Sequence, residues 1–66
     1  MTAERAIYLQ WVKATDTMNG ASGSIYFEAL GASVALNQVL ADFLGVTFIE
    51  ANRLLLNWQM ADEAAG

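Results

Sequence analysis

The sequence predicts an all-α domain built from three helices. The 66 residues contain no proline and many alanines and leucines, and two glycine-containing breaks separate three long helical patterns. A chain of this length has room for one domain only. We therefore expect a single domain over residues 1–66, with helices at about 3–18, 25–44 and 48–61, a connector at 19–24 and a frayed tail after residue 61.

The first helix is predicted from its N-terminal cap and from one apolar face. Thr2 can accept hydrogen bonds from the amides of the first turn. Ile7, Trp11 and Ala14 recur at helical spacing, and most polar residues lie on the other side. The two glycines of the connector then predict a plain turn between helices.

The second helix is predicted to be the central one because it is apolar on most sides, as buried helices are. Its polar stripe contains only Glu28, Gly31, Ala35, Gln38 and Asp42. Gly31 and Ala35 carry little side chain and would let a second helix approach closely. The alternative is a break at Gly31, with a turn or strand at 25–27 and a helix that starts near residue 32. The sequence leaves both possibilities open.

The third helix has the strongest local signal in the chain. Gly45 suits a left-handed end of the preceding helix. Thr47 and Glu50 have the spacing of a capping box, in which each side chain satisfies a free amide. Val46 can pack on Ala51 as a hydrophobic staple. The residues predicted to form the buried face are Phe48, Ala51, Leu55 and Trp58.

Charge and composition limit the function classes. The net charge is −4, and Arg5, Lys13 and Arg53 are the only basic residues. The chain has neither cysteine nor histidine, so disulfides are excluded and only carboxylates remain as metal ligands. Histidine is the commonest general base and cysteine a common nucleophile, and the chain has neither. We expect no enzymatic activity, no bound metal and no cofactor.

The apolar content predicts self-association. Apolar residues make up 56% of the chain and charged residues 15%, where about 25% charged is ordinary. A domain of this size buries only about 60% of its unfolded surface, so a monomer would leave many apolar side chains uncovered. We expect a homodimer that uses helix 1 and the apolar side of helix 2. The candidate contact residues are Ile7, Trp11, Gly31 and Ala35. A larger structural assembly is a further possibility.

Aromatic residues near helix starts predict a surface for another protein. The chain holds more aromatic side chains than a small core requires, and exposed aromatics mark partner sites. Tyr26, Phe27 and Phe48 are the candidates. The acidic balance of the chain favours a partner with a basic or apolar surface.

The sequence also gives an expectation about location. Every stretch of about 20 residues contains a charge, which argues against a membrane span. The opening Met-Thr-Ala-Glu-Arg lacks the basic region of a secretory signal. We therefore expect a cytoplasmic protein that makes no contact with a membrane.

Residues 37–58 resemble the helix-turn-helix of bacterial and phage regulators. The small Ala41 lies four residues before Gly45, as close crossing of the two helices requires. Apolar side chains occupy the positions where that motif keeps its core, and these are Leu40, Leu44, Val46 and Leu54. Ala51 takes a position that is more often Val or Ile. The resemblance covers about a third of the chain and implies a bent helix pair.

The resemblance also implies a DNA-contacting helix that begins at Thr47. In such proteins the second helix enters the major groove, where Asn pairs with adenine and Arg with guanine. Asn52 and Arg53 would take those roles, whereas Phe48 and Ile49 depart from the pattern. Three dispersed cations are few for a protein that must neutralise phosphates. A DNA-binding regulator is thus the alternative to a non-enzymatic regulatory or adaptor protein that acts through protein–protein contacts.

Overall fold

The computed structural model describes all residues of the chain, Met1–Gly66, and contains three α-helices and no strand. The helices are α1 (Ala3–Asn19), α2 (Gly23–Leu44) and α3 (Phe48–Ala65). The predicted all-α fold is confirmed. α2 packs against both other helices, whereas α1 and α3 meet over a smaller area.

α1 begins at the predicted cap and buries one face. The amide of Arg5 donates a hydrogen bond to Thr2 Oγ1 at 3.2 Å, which satisfies one of the free amides of the first turn. Tyr8, Trp11 and Ala14 are its buried residues. Their spacing places them on one side of the helix, which faces α2 and α3.

α2 begins at Gly23, two residues before the predicted start, and runs without interruption to Leu44. Ser22 occupies the N-cap with an extended backbone, although its hydroxyl makes no capping bond. The helix continues through Gly31, so of the two alternatives the structure contains the unbroken helix. Gly31 is flanked by strong helix formers such as Leu30 and Ala32, and one glycine among them does not end a helix.

The junction between α2 and α3 is a sharp turn closed by backbone hydrogen bonds. Gly45 has φ 69° and ψ 34°, the left-handed conformation that glycine adopts without steric cost. The amides of Gly45 and Val46 both donate to the carbonyl of Ala41, the latter at 3.0 Å. Thr47 Oγ1 accepts from the amide of Glu50 at 3.1 Å, but the reciprocal bond, in which the Thr47 amide would donate to the Glu50 carboxylate, is not formed. The chain bends by 105° here.

α3 continues to Ala65, four residues beyond its predicted end at about residue 61. The reason lies in two contacts with α1. Asp62 Oδ2 accepts a hydrogen bond from the Tyr8 hydroxyl at 2.9 Å and another from Arg5 Nη1 at 3.1 Å. These contacts hold the last turns of α3 against the first turns of α1.

The core lies where the three helices meet and contains few large side chains. Its main cluster consists of Tyr8, Trp11, Leu40, Ala41, Ala51 and Leu55. The remaining buried apolar residues are alanines, Ala14 and Ala29. The predicted burial of Ala51 and Leu55 on α3 is confirmed. Phe48, assigned to the same face, is 39% exposed because it stands at the open end of the turn.

α2 is central, but the prediction that it is buried on most sides is wrong. A helix with two neighbours has uncovered flanks, and Phe27, Val34 and Phe43 are exposed on them. The whole chain exposes 4389 Å², where about 4,100 Å² is typical of a monomer of this mass. Neither α2 nor any other single helix has the length and hydropathy to cross a membrane, while α2 and α3 taken as one bent pair meet that test by composition.

Candidate interaction surfaces

The chemistry available to this molecule lies on its surface. Four large apolar or aromatic side chains are buried, whereas twelve large hydrophobic side chains are exposed. No three acidic side chains come together as metal ligands would. Exposed apolar patches rimmed by polar residues are typical of protein-binding surfaces. The candidate sites are therefore helix faces and the groove between two helices.

One exposed face of α3 is largely apolar. We call it the α3 stripe, and it consists of Ile49, Arg53, Leu56 and Met60. The spacing of these residues places them on one side of the helix, opposite the buried Ala51. Ile49 is 71% and Met60 66% exposed. Arg53 is the only charge in the stripe. The α3 stripe therefore suits a partner protein whose surface is apolar and carries an acidic side chain.

The residues predicted to contact DNA are arranged poorly for that task. The Thr47 hydroxyl is engaged in the helix cap, and Asn52 is half-buried. Arg53 is exposed, but the side chains beside it on the outer face are Ile49 and Leu56. A helix that reads base edges needs polar side chains at those positions. Of the three predicted DNA-contacting residues, only Arg53 therefore has a free polar side chain on the outer face.

The three cations of the chain do not form a basic surface. Arg5 pairs with Asp62 at 3.1 Å, which is the only ion pair in the molecule. Lys13 lies on α1 and Arg53 on α3. Phosphate neutralisation supplies most of the non-specific affinity of DNA-binding proteins. Two unpaired cations on different helices supply little of it.

The aromatic candidates fall into two separate places. The rings of Tyr26 and Phe27 meet edge to face with centroids 5.4 Å apart, and Phe27 is 67% exposed. Phe48 lies farther along α2, since its backbone carbonyl accepts a hydrogen bond from Asn37. Asn37 is about 16 Å from Tyr26 along the helix axis. The three residues therefore do not form one patch.

The self-association candidates also separate. Trp11 is only 5% exposed and belongs to the core, so it offers almost no surface to a second subunit. Ile7 is partly buried against that core. Gly31 and Ala35 are exposed, and nothing lies within 4 Å of a Cβ built on Gly31. Both stand on the polar stripe beside Gln38, away from the apolar flanks of the helix.

A second apolar row, which the sequence reasoning missed, runs along α2. We call it the α2 seam, and it consists of Ile25, Ala29, Ala32, Leu36, Val39 and Phe43. These residues alternate at spacings of four and three, the pattern that packs one helix against another. Ala29 is buried and Leu36 partly buried, whereas the other four residues are exposed. The spacing is present in the sequence, but it does not stand out there because most other residues of the helix are apolar too.

The middle of the α2 seam borders a groove of about 600 Å³ between α1 and α2. Its floor contains small side chains, Ala14 from α1 and Ala29 and Ala32 from α2. Lys13 on α1 and Glu28 on α2 are its two charged residues. Neither takes part in an ion pair within the chain. The groove therefore offers an apolar floor and one unpaired charge of each sign.

The cluster of Arg5, Tyr8 and Asp62 is the other polar feature of note. The Arg5 guanidinium lies 5.0 Å from the centre of the Tyr8 ring, whose hydroxyl donates to Asp62. Burial raises the pKa of the Tyr8 phenol, and the hydrogen bond to Asp62 raises it further. Trp58 packs edge-on against the same ring at 6.0 Å. The cluster is a structural clasp between α1 and α3, since its polar groups bond to one another.

No protein-family model matches the chain, and no curated protein or solved structure matches it significantly.

Proposed function

We propose that the chain is a non-enzymatic regulatory or adaptor protein of the cytoplasm that acts through protein–protein contacts as a homo-oligomer. The observation that carries this proposal is the α3 stripe. Ile49, Leu56 and Met60 are exposed on the helix whose outer face would otherwise read DNA. Such side chains gain free energy when a partner covers them, whereas base edges offer them few contacts.

A DNA-binding regulator is the second candidate function. The shape of the α2–α3 junction favours it, because Gly45 ends one helix sharply and the chain bends by 105°. Asn52 and Arg53 would be its base-reading residues. The net charge of −4 and the scarcity of free cations weigh against it.

Fluorescence anisotropy separates the two candidates. Labelled mixed-sequence duplex is titrated with the protein at about 50 and about 200 mM salt. The adaptor proposal predicts no micromolar binding at either concentration. Binding at low salt that collapses at high salt, and that Arg53→Ala abolishes, would favour the regulator instead. Lys13→Ala is the matched control, since it removes one unpaired cation from a different helix.

The partner surface is tested by comparing variants in the cell. Proteins that co-purify with the native chain after cross-linking are identified, and their recovery is measured with Ile49→Ser, Leu56→Ser and Phe48→Ser. The proposal predicts loss of the same partner in the two variants of the α3 stripe and in Phe48→Ser, which changes the exposed aromatic residue at the start of the same helix. Asn57→Ser, an exposed polar change on the same helix, should leave recovery unchanged. Equal recovery with all four variants would contradict a role for this face.

A further inference from the structure

We infer that the groove between α1 and α2 seats a second copy of this chain, related by a two-fold axis, with Lys13 of each copy facing Glu28 of the other. The inference rests on the proposed homo-oligomer and adds the face and the register. It differs from the contact predicted from the sequence, since Trp11 lies in the core and Gly31 lies outside the groove.

The apolar geometry of this side favours a helix as occupant. The α2 seam has the four-and-three spacing of a packed helix pair, yet only Ala29 is buried and only Leu36 is partly buried within the fold. Ile25 at one end, and Val39 and Phe43 at the other, are exposed. The alanine floor of the groove leaves room for larger side chains of a neighbour. The exposed ends of one copy's seam supply such side chains.

The charges specify what kind of helix fits. An interface around a two-fold axis contains every contact twice, so a surface that docks on its own copy must be self-complementary. Lys13 and Glu28 stand on opposite walls of the groove and are both unpaired. In a second copy turned by 180°, Lys13 faces Glu28 of the first copy, and Glu28 faces Lys13. Two acidic chains otherwise repel, and Lys13 is the only cation that lines this groove.

A dimer contact would cover a modest share of the exposed surface. A specific interface covers about 800 Å² on each partner. That is less than a fifth of the 4389 Å² which the chain exposes. The groove and the exposed ends of the seam extend along most of α2, a helix of 22 residues.

Charge reversal tests the register directly. Sedimentation velocity gives the dimer dissociation constant for the native chain, Lys13→Glu, Glu28→Lys and the double variant. Each single variant places like charges together twice, and we expect about tenfold weaker association. The double variant should restore the native constant. The two single variants mixed in equal amounts should form a heterodimer, since the glutamate introduced at position 13 then faces the lysine introduced at position 28.

Matched controls make each outcome decisive. Glu50→Lys and Asn57→Glu introduce a charge of each sign at exposed positions of α3 outside the α3 stripe and should leave the dissociation constant unchanged. If the native chain dimerises and the groove variants behave like these controls, the inferred face is wrong while the homo-oligomer stands. If the native chain is monomeric at all concentrations, the homo-oligomer itself is refuted, and this inference with it. Circular dichroism confirms that every variant is folded.

Discussion

The side-chain amide of Asn37 donates a hydrogen bond to the backbone carbonyl of Phe48, with 3.0 Å between Nδ2 and the oxygen. Asn37 is 2% exposed, and every buried side-chain nitrogen and oxygen in the molecule has a partner. The bond joins the middle of α2 to the first residue of α3. It therefore fixes the direction in which α3 leaves the turn, and with it the position of the α3 stripe.

Asn37→Ala should lower the free energy of unfolding by about 2 kcal/mol, because it removes this bond and leaves a small cavity. Urea denaturation followed by circular dichroism measures the change. Gln38→Ala, its exposed neighbour, should cost less than about 0.5 kcal/mol. Equal effects of the two substitutions would show that the bond does not hold the helices together.

The glycines at positions 45 and 31 should respond in opposite directions to alanine. Gly45→Ala forces a Cβ into the left-handed region and should destabilise the fold by about 1 kcal/mol. Gly31→Ala fills open space within a helix and should stabilise it by about 0.5–1 kcal/mol. Thermal and urea unfolding of both variants provide the measurement. Destabilisation by Gly31→Ala, accompanied by weaker association, would instead place Gly31 in the subunit contact.

Alkaline unfolding should depend on Tyr8. Its pKa in the folded state is raised above the ordinary 10.0, chiefly by burial and then by the bond to Asp62. The folded state therefore resists loss of the phenolic proton, so this contribution is complete below pH 10 and is lost as pH rises through the folded pKa. Tyr8→Phe should flatten the fall in stability above pH 10, and Tyr26→Phe should leave it steep. Equal slopes in the native chain and Tyr8→Phe would refute this origin.

The last turns of α3 should depend on Asp62. Asp62→Ala removes the acceptor shared by Tyr8 and Arg5, so amide hydrogen exchange should accelerate at the end of the helix. Glu63→Ala is the control, since that carboxylate takes no part in the clasp. Protection that survives in Asp62→Ala would mean that helix propensity alone maintains these turns.

The sequence predicted those features that depend on neighbours along the chain. The caps at Thr2 and Thr47 and the left-handed Gly45 are local, and each is present. The length of α3 was mispredicted because Asp62 is held by Tyr8, more than fifty positions away. The helix propensity of the tail residues does not reveal a contact with a residue so distant in the sequence.

The surfaces were harder to predict for a related reason. Apolarity identifies side chains that can be buried, but the directions of neighbouring helices decide which of them are covered. Trp11 and Phe27 illustrate the difference, since the first is in the core and the second is exposed. Asn37 is a polar residue in a largely apolar helix, and its position opposite the start of α3 makes it part of the interior.

Sedimentation velocity of the native chain over roughly 1–100 µM tests the central claim most directly. The account predicts that the average mass rises with concentration from 7.1 kDa toward twice that value. The association should weaken only modestly with added salt, because most of the contact is apolar. A mass of 7.1 kDa at every concentration would contradict self-association through the exposed apolar faces.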